Sequence, residues 1–91
     1  MIVQVSGPHG SGKYAVIEAG LKALGMSIYL IRCETVHRGQ VKNVIQHAAG
    51  HEPQVIVLEG FEWIEEAKRP GILQALEDTG IPAYVIESAR S

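Results

Sequence analysis

The stretch that decides the fold is VSGPHGSGKY, which runs from Val5 to Tyr14. Within it, Gly7, Gly12 and Lys13 have the spacing G-x-x-x-x-G-K. Glycines allow the unusual backbone dihedrals by which several N–H groups converge on one anion. An amphipathic helix that follows directly adds its free N–H donors and its partial positive charge. The spacing therefore predicts a phosphate-binding loop, with the ammonium group of Lys13 at the outer phosphates.

The predicted ligand contacts lie in this loop and in the first residue after it. They are Gly7, Pro8, His9, Gly10, Ser11, Gly12, Lys13 and Tyr14. A glycine-rich turn that binds nothing is the alternative interpretation. An apolar strand pattern before the loop and a helical pattern after it favour the phosphate loop over a bare turn.

Short apolar runs alternate with helical patterns along the chain. The runs predict strands at Ile2–Val5, Ile28–Ile31, Val55–Leu58 and Ala83–Ile86. The patterns predict helices from Lys13 to Leu24, from Arg38 to Ala49, and from Pro70 to a stop at Gly80. The apolar face of the first helix is expected to contain Val16, Ile17, Gly20, Leu21 and Leu24. This order predicts an α/β fold with a mainly parallel sheet, and we expect residues 1–91 to form a single domain.

Composition argues against several classes of function. The 91 residues are 46% hydrophobic and 20% charged with a net charge of −2, so a broad basic surface for nucleic acid is not indicated. No apolar run approaches the roughly 20 residues of a membrane helix, and the N-terminus lacks a signal-peptide pattern. The one cysteine, Cys33, cannot form an internal disulfide. We therefore expect a cytoplasmic protein without a membrane or nucleic-acid partner.

Two motifs carry a resemblance to a known family. GPHGSGK resembles the Walker A loop of P-loop NTPases, and QVIVLEG, from Gln54 to Gly60, resembles Walker B. The segment from Val55 to Arg90 is similar to AAA+ ATPases of the clamp-loader and replication-initiator type, as a truncated core. The resemblance implies a three-layer P-loop fold that binds ATP or ADP. It also implies that Lys13 and Glu59 are catalytic, that Glu59 holds Mg²⁺, and that Ser88 is a polar sensor residue at the nucleotide.

Three features depart from that family. Tyr14 stands where the family has a Ser or Thr whose hydroxyl coordinates Mg²⁺, and a phenol oxygen cannot take the same position. Gly60 stands where AAA+ proteins have a second acid that activates water, and Glu62 would need a different loop path to replace it. The sequence stops at Ser91, before the fifth strand, arginine finger and helical lid of an AAA+ module. We therefore expect weak coupling to Mg²⁺ and slow hydrolysis at most.

Two other functions stay open at this stage. The chain could be a small nucleoside or nucleotide kinase, or an interaction module that mimics or caps a larger AAA+ ATPase. In the kinase-like class the first strand is internal, whereas the AAA+-like class has the order 2-3-4-1. The continuous apolar runs of the third and fourth strands favour 2-3-4-1. The first strand is then an open edge, so we expect a homo-oligomer or a protein partner along Ile2–Val5.

Histidines outside the loop give weaker signals. His47 and His51 have the i, i+4 spacing of a metal-binding pair, but Gly50 is expected to end the helix between them and no third ligand is evident. We expect a solvated helix end there. His37 and Arg38 follow the second strand, where they either border the ligand side of the sheet or start the second helix.

Overall fold

Four strands alternate with three helices in the computed structural model, which describes residues 1–8, 10, 12–36 and 39–89. The elements are β1 Ile2–Pro8, α1 Lys13–Ala23, β2 Ile28–Arg32, α2 Val41–Gly50, β3 Val55–Glu59, α3 Arg69–Asp78 and β4 Ala83–Ala89. Two 3₁₀ turns, Phe61–Trp63 and Glu66–Lys68, connect β3 to α3. No helix in these described ranges is long and apolar enough to cross a membrane.

The strands form one parallel sheet in the order β1-β4-β3-β2. Read from the other edge, this is the predicted order 2-3-4-1, so the prediction is confirmed. Burial gives the physical reason. The residues from Val55 to Leu58 on β3 are at most 2% exposed, as central strands covered on both faces should be. β1 has an exposed Gln4 and pairs with β4 alone.

Helices cover both faces of the sheet, which gives the predicted three-layer α/β fold. The larger core lies between the sheet and the pair α2 and α3, where Ile45 and Leu76 are fully buried. The opposite face is covered by α1, which contacts the sheet through Tyr14, Ile17 and Leu21. The sequence patterns of α2 and α3 therefore give helices whose apolar faces meet the same side of the sheet.

The predicted apolar face of α1 is partly wrong. Val16 and Leu24 are 72% and 74% exposed, although both were assigned to that face. The helix lies on the sheet through positions 14, 17 and 21 instead. The reason is that α1 is apolar on more than one side, so its sequence period does not select a single face.

Element boundaries also differ from the prediction. β1 and β4 extend to Pro8 and Ala89, because their parallel pairing continues to the end of both strands. Gly7 and Pro8, predicted as loop, therefore end β1. The second helix begins at Val41, after a turn that includes Gly39. The predicted start at Arg38 lies outside the described residues, as does His37.

Candidate functional site

The carboxyl ends of the four strands meet along one edge of the sheet, as they must in a parallel sheet. The register places Gly7 of β1 beside Ser88 of β4, and Ile86 of β4 beside Glu59 of β3. Glu59 in turn lies beside Arg32 of β2. This row of strand ends, next to the start of α1, is where the sequence predicts the ligand.

A cavity of about 250 Å³ opens between this row and the start of α1. It is lined by Gly10, Gly12, Lys13, Tyr14, Ala15, Glu59, Ile86 and Ser88. Six of these residues were predicted for the site, from positions up to 78 residues apart in sequence, and the fold brings them together. The predicted contacts His9 and Ser11 lie outside the described residues. Three larger grooves are found among the described residues. Two of them, of about 370 and 500 Å³, lie between α2 and α3 and contain none of the predicted site residues. The third, of about 360 Å³, lies at the end of β4 and is lined in part by Ser88.

The loop backbone has the geometry that its glycines were expected to allow. Gly10 and Gly12 have φ angles of 79° and 73°, in the left-handed region where residues with a Cβ are strained. Gly12 is the N-cap of α1, and no side chain of the described residues caps the helix there. The first turn also has no acidic residue. The N-terminus of α1 thus keeps its partial positive charge for an anion in the cavity.

The ammonium group of Lys13 bends back over the loop. Its Nζ donates to the carbonyl oxygens of Pro8, at 2.8 Å, and of Gly7, at 3.3 Å. These bonds hold the lysine at the end of β1 and on the wall of the cavity. A phosphate oxygen is a stronger acceptor for an ammonium group than a carbonyl, so a bound phosphate would compete for this donor.

Glu59 places a buried carboxylate oxygen beside the same cavity. Its Oε2 atom has no hydrogen-bond partner among the residues that the structure describes, while its backbone oxygen accepts from the N–H of Cys33 at 2.8 Å. A buried carboxylate oxygen is stabilised by a hydrogen-bond donor or a cation, so this atom is suited to bind one. Mg²⁺ commonly binds one carboxylate together with phosphates and water, so Glu59 fits that ion. Among the described residues no cluster of three or more His, Cys, Asp or Glu could hold a metal without a ligand.

The hydroxyl of Tyr14 is engaged away from the phosphates. It donates to Oε2 of Glu18 at 2.6 Å, one helical turn further along α1. Burial, and then the hydrogen bond and charge of Glu18, raise the pKa of Tyr14 to about 12. The same hydrogen bond lowers the pKa of Glu18. The phenol is therefore a neutral donor that packs against the sheet rather than a ligand for Mg²⁺.

The chain leaves β3 by a turn at Gly60, whose φ is 82°. A Cβ at this position would lie 3.3 Å from Cδ1 of Trp63 and 3.7 Å from Cβ of Cys33. Neither neighbour lines the cavity, so a side chain at position 60 would start away from it. Glu62, the other candidate base, accepts the N–H of Ser88 at 2.9 Å through Oε1. Its carboxylate thus holds the end of β4, where the predicted sensor residue lies.

Residues that the sequence reasoning missed are Glu18 and Arg32. The i, i+4 spacing from Tyr14 could have indicated Glu18. The alternation of β2 could have indicated Arg32, since it falls on the same side as Ile28 and Leu30.

The histidine pair lies at the other end of the sheet. His47 and His51 are joined by a hydrogen bond of 3.2 Å between their Nε2 atoms, and the His51 ring stacks on Tyr29 near the start of β2. This places the pair at the amino ends of the strands, away from the cavity.

Comparison with known proteins gives one weak similarity. No protein-family model matches the chain. It is 26% identical over 69 residues to the Peroxisomal ATPase PEX6 of Dictyostelium discoideum. The match covers 68% of this chain and 6% of the length of that protein. The similarity loosely supports a relationship to AAA ATPases, and with it a link to nucleotide binding, but nothing more specific.

Proposed function

We propose that the chain binds ATP or ADP at the loop from Gly7 to Lys13, as a P-loop domain of the AAA+ type. The observation that carries the proposal is the convergence of Lys13, Glu59 and Ser88 on one cavity at the start of α1. Two left-handed glycines, and a helix N-terminus that no side chain of the described residues caps, make this cavity suited to a polyanion. We also propose that the chain is a single cytoplasmic domain similar to clamp-loader and replication-initiator proteins. In this proposal the loop from Gly7 to Lys13 acts as Walker A and the segment from Gln54 to Gly60 acts as Walker B.

Hydrolysis by these residues is proposed to be slow. The Tyr14 hydroxyl lies beside Glu18, one helical turn further along α1, so its oxygen is not in the place of a metal-binding Ser or Thr. Neither Gly60 nor Glu62 supplies a base at the cavity, because Glu62 is held by the Ser88 N–H. Mg²⁺ would be held by Glu59 and the phosphates, and it would neutralise phosphate charge. We expect turnover far below the ~10 s⁻¹ of a median enzyme and a weak effect of Mg²⁺ on affinity.

The test is titration calorimetry with ATP, ADP and GTP, each with and without Mg²⁺, together with thermal unfolding. At a free ligand concentration 100 times the dissociation constant, the folded state gains about 2.7 kcal/mol. Lys13→Ala should abolish this gain, because it removes the charge at the outer phosphates. Lys68→Ala removes an exposed charge near α3 and should leave it unchanged. A wild-type protein whose melting temperature does not respond to millimolar nucleotide would disprove the function.

The sheet order bears on the two other functions. β1 lies at an edge of the sheet, beside β4, which is unlike the internal first strand of the kinase-like class. We therefore rank a nucleoside or nucleotide kinase below the AAA+-like domain. An interaction module without nucleotide remains the competing proposal, and the titration above separates the two.

A second part of the proposal concerns assembly through the edge of β1. The Met1 carbonyl accepts the Ala83 N–H at 2.9 Å, so Met1 and then Val3 and Val5 direct their backbone groups to β4. The backbone groups of Ile2, Gln4 and Ser6 then face outward, where they can pair with a second copy or a partner protein.

Sedimentation over a range of concentrations tests this pairing. Gln4→Lys places a charge on the exposed edge and should reduce association. Amide exchange should be faster at Gln4 than at Val3 in the monomer. A wild-type protein that stays monomeric at high concentration would argue against self-association.

A further inference from the structure

Arg32 is the last residue of β2, and its position bears on the proposed nucleotide site. Leu30 packs on the α1 side of the sheet, so strand alternation puts Arg32 on that side as well. Val57 packs on the same side, which puts Glu59 there too. The register pairs Arg32 directly with Glu59. A cation and a carboxylate are thus neighbours at the strand ends, on the face that carries the cavity, and one oxygen of that carboxylate has no partner among the described residues.

The charge of Arg32 reaches the first turn of α1. Burial and Glu18 raise the pKa of Tyr14, and the positive charge of Arg32 acts in the opposite direction. Arg32 also helps to lower the pKa of Glu18, after the larger effects of the Tyr14 hydrogen bond and of Lys22. Among the described residues, no ion pair engages the Arg32 guanidinium, and the residue is exposed. The exposed guanidinium therefore has its donors available, and its charge acts on Tyr14, which lines the cavity.

A bound polyphosphate creates an electrostatic problem at this end of the cavity. The cavity runs from the loop at β1, across Ile86 and Ser88 of β4, to Glu59 of β3. A phosphate chain that starts at the loop and fills the cavity ends against the carboxylate of Glu59, which is a second anion. Two like charges in contact at a partly buried site repel strongly, so a cation between them stabilises the bound state. Lys13 lies at the opposite end of the cavity, at the loop, where its Nζ donates to the carbonyl oxygens of Gly7 and Pro8.

We infer that Arg32 contacts the terminal phosphate of the bound nucleoside triphosphate and supplies the positive charge between that phosphate and Glu59. The guanidinium suits this task, because its fork of N–H donors matches two oxygens of a phosphate. The contact makes triphosphate binding possible without Mg²⁺, which agrees with the engaged hydroxyl of Tyr14. It also gives preference for a triphosphate over a diphosphate. The inference rests on the proposed function and names a residue that the loop motif does not contain.

The experiment is titration calorimetry of the full chain with ATP, ADP and inorganic triphosphate, in EDTA and then in Mg²⁺. Arg32→Gln should weaken ATP and triphosphate binding in EDTA by roughly 10- to 100-fold, as expected for the loss of a charged hydrogen bond. ADP binding should change by less than threefold or so, since the terminal phosphate is absent. Arg32→Lys should retain part of the affinity. Lys68→Gln removes one positive charge on the opposite side of the sheet and should behave as the wild type.

The outcomes separate the inference from the function on which it rests. If the wild type binds ATP in EDTA and Arg32→Gln binds it equally well, the role of Arg32 is disproved and the nucleotide site stands. An equal loss for ATP and ADP would show a general charge effect and would also overturn the contact with the terminal phosphate. If the wild type binds no nucleotide in either condition, the proposed function fails and the inference with it. Thermal unfolding without ligand should match in all variants, because both altered side chains are exposed.

Discussion

The two faces of the sheet are covered to different degrees, and the difference separates stability from function. On the α2 and α3 side, thirteen of the described residues form a buried core, whereas four do so on the α1 side. Residues such as Ile17, Leu30 and Tyr84 on the α1 side are only half-buried. The cavity and the start of α1 lie on this less covered side. The nucleotide site that we propose needs an open surface, and the packing that stabilises the fold is concentrated on the other face.

The largest expected effect compares matched isoleucines on the two sides. Ile45→Ala on α2 empties a fully buried position and should reduce the free energy of unfolding by about 2–5 kcal/mol. Ile17→Ala on α1 removes a half-buried side chain and should cost about 1–2 kcal/mol. Urea unfolding of both variants checks the difference. Equal losses would mean that the α1 side is as important for stability as the α2 and α3 side.

A smaller effect is expected at Gly60, where β3 leaves the sheet. Gly60→Ala and Gly60→Glu should each cost about 1–2 kcal/mol, because a Cβ at φ 82° is strained. The tight contact of 3.3 Å with Cδ1 of Trp63 adds to this cost. Gly60→Glu should not increase phosphate release from ATP, because its side chain starts toward Trp63 and Cys33.

Unfolding curves measure the loss of stability in the Gly60 variants, and a phosphate-release assay measures their hydrolysis of ATP. Gly60→Ala is the control for strain without a carboxylate. Faster release in Gly60→Glu than in Gly60→Ala would show that a base can reach the cavity from this turn, contrary to the geometry.

The smallest expected effect concerns Tyr14 and depends on pH. Its pKa is raised from 10.0 to about 12, mainly by burial and then by Glu18, so the folded state holds the phenol proton more tightly than the unfolded chain. The stabilising contribution is complete below pH 10 and is lost as the pH rises from about 10 to 12. Tyr14→Phe lacks the titrating group and should not show this loss.

Thermal unfolding at several pH values compares the wild type with Tyr14→Phe. The difference in melting temperature between them should become less favourable to the wild type between about pH 10 and 12. A constant difference across that range would mean that the pKa of Tyr14 is not raised in solution, so that neither burial nor the bond to Glu18 acts on the phenol as described. Nucleotide affinity at neutral pH should be the same in both proteins, because the hydroxyl is not expected to touch phosphate or metal.

Much of the candidate site could be predicted because it lies in one short segment. The loop from Gly7 to Lys13 could be predicted because its residues are consecutive in the sequence. Glu59 could be predicted because it ends a strand, and ligands bind at the carboxyl ends of parallel strands. Arg32 was missed because a lone arginine at a strand end carries no motif. The role of Glu62 was also hidden, since its bond to the Ser88 N–H joins segments 26 residues apart.

The sequence by itself determined the alternation of strands and helices, the left-handed glycines before α1 and the two central strands. These follow from local causes: glycine spacing, apolar period, and continuous apolar runs. The order 2-3-4-1 also depended on the resemblance to AAA+ proteins, which supplied it as a candidate. Only the tertiary structure decided which side of α1 meets the sheet, because that helix is apolar on several sides and the neighbouring strands select among them. It also decided that the Tyr14 hydroxyl donates to Glu18 and that Arg32 lies beside Glu59, since side-chain direction and strand register exist only in the folded sheet.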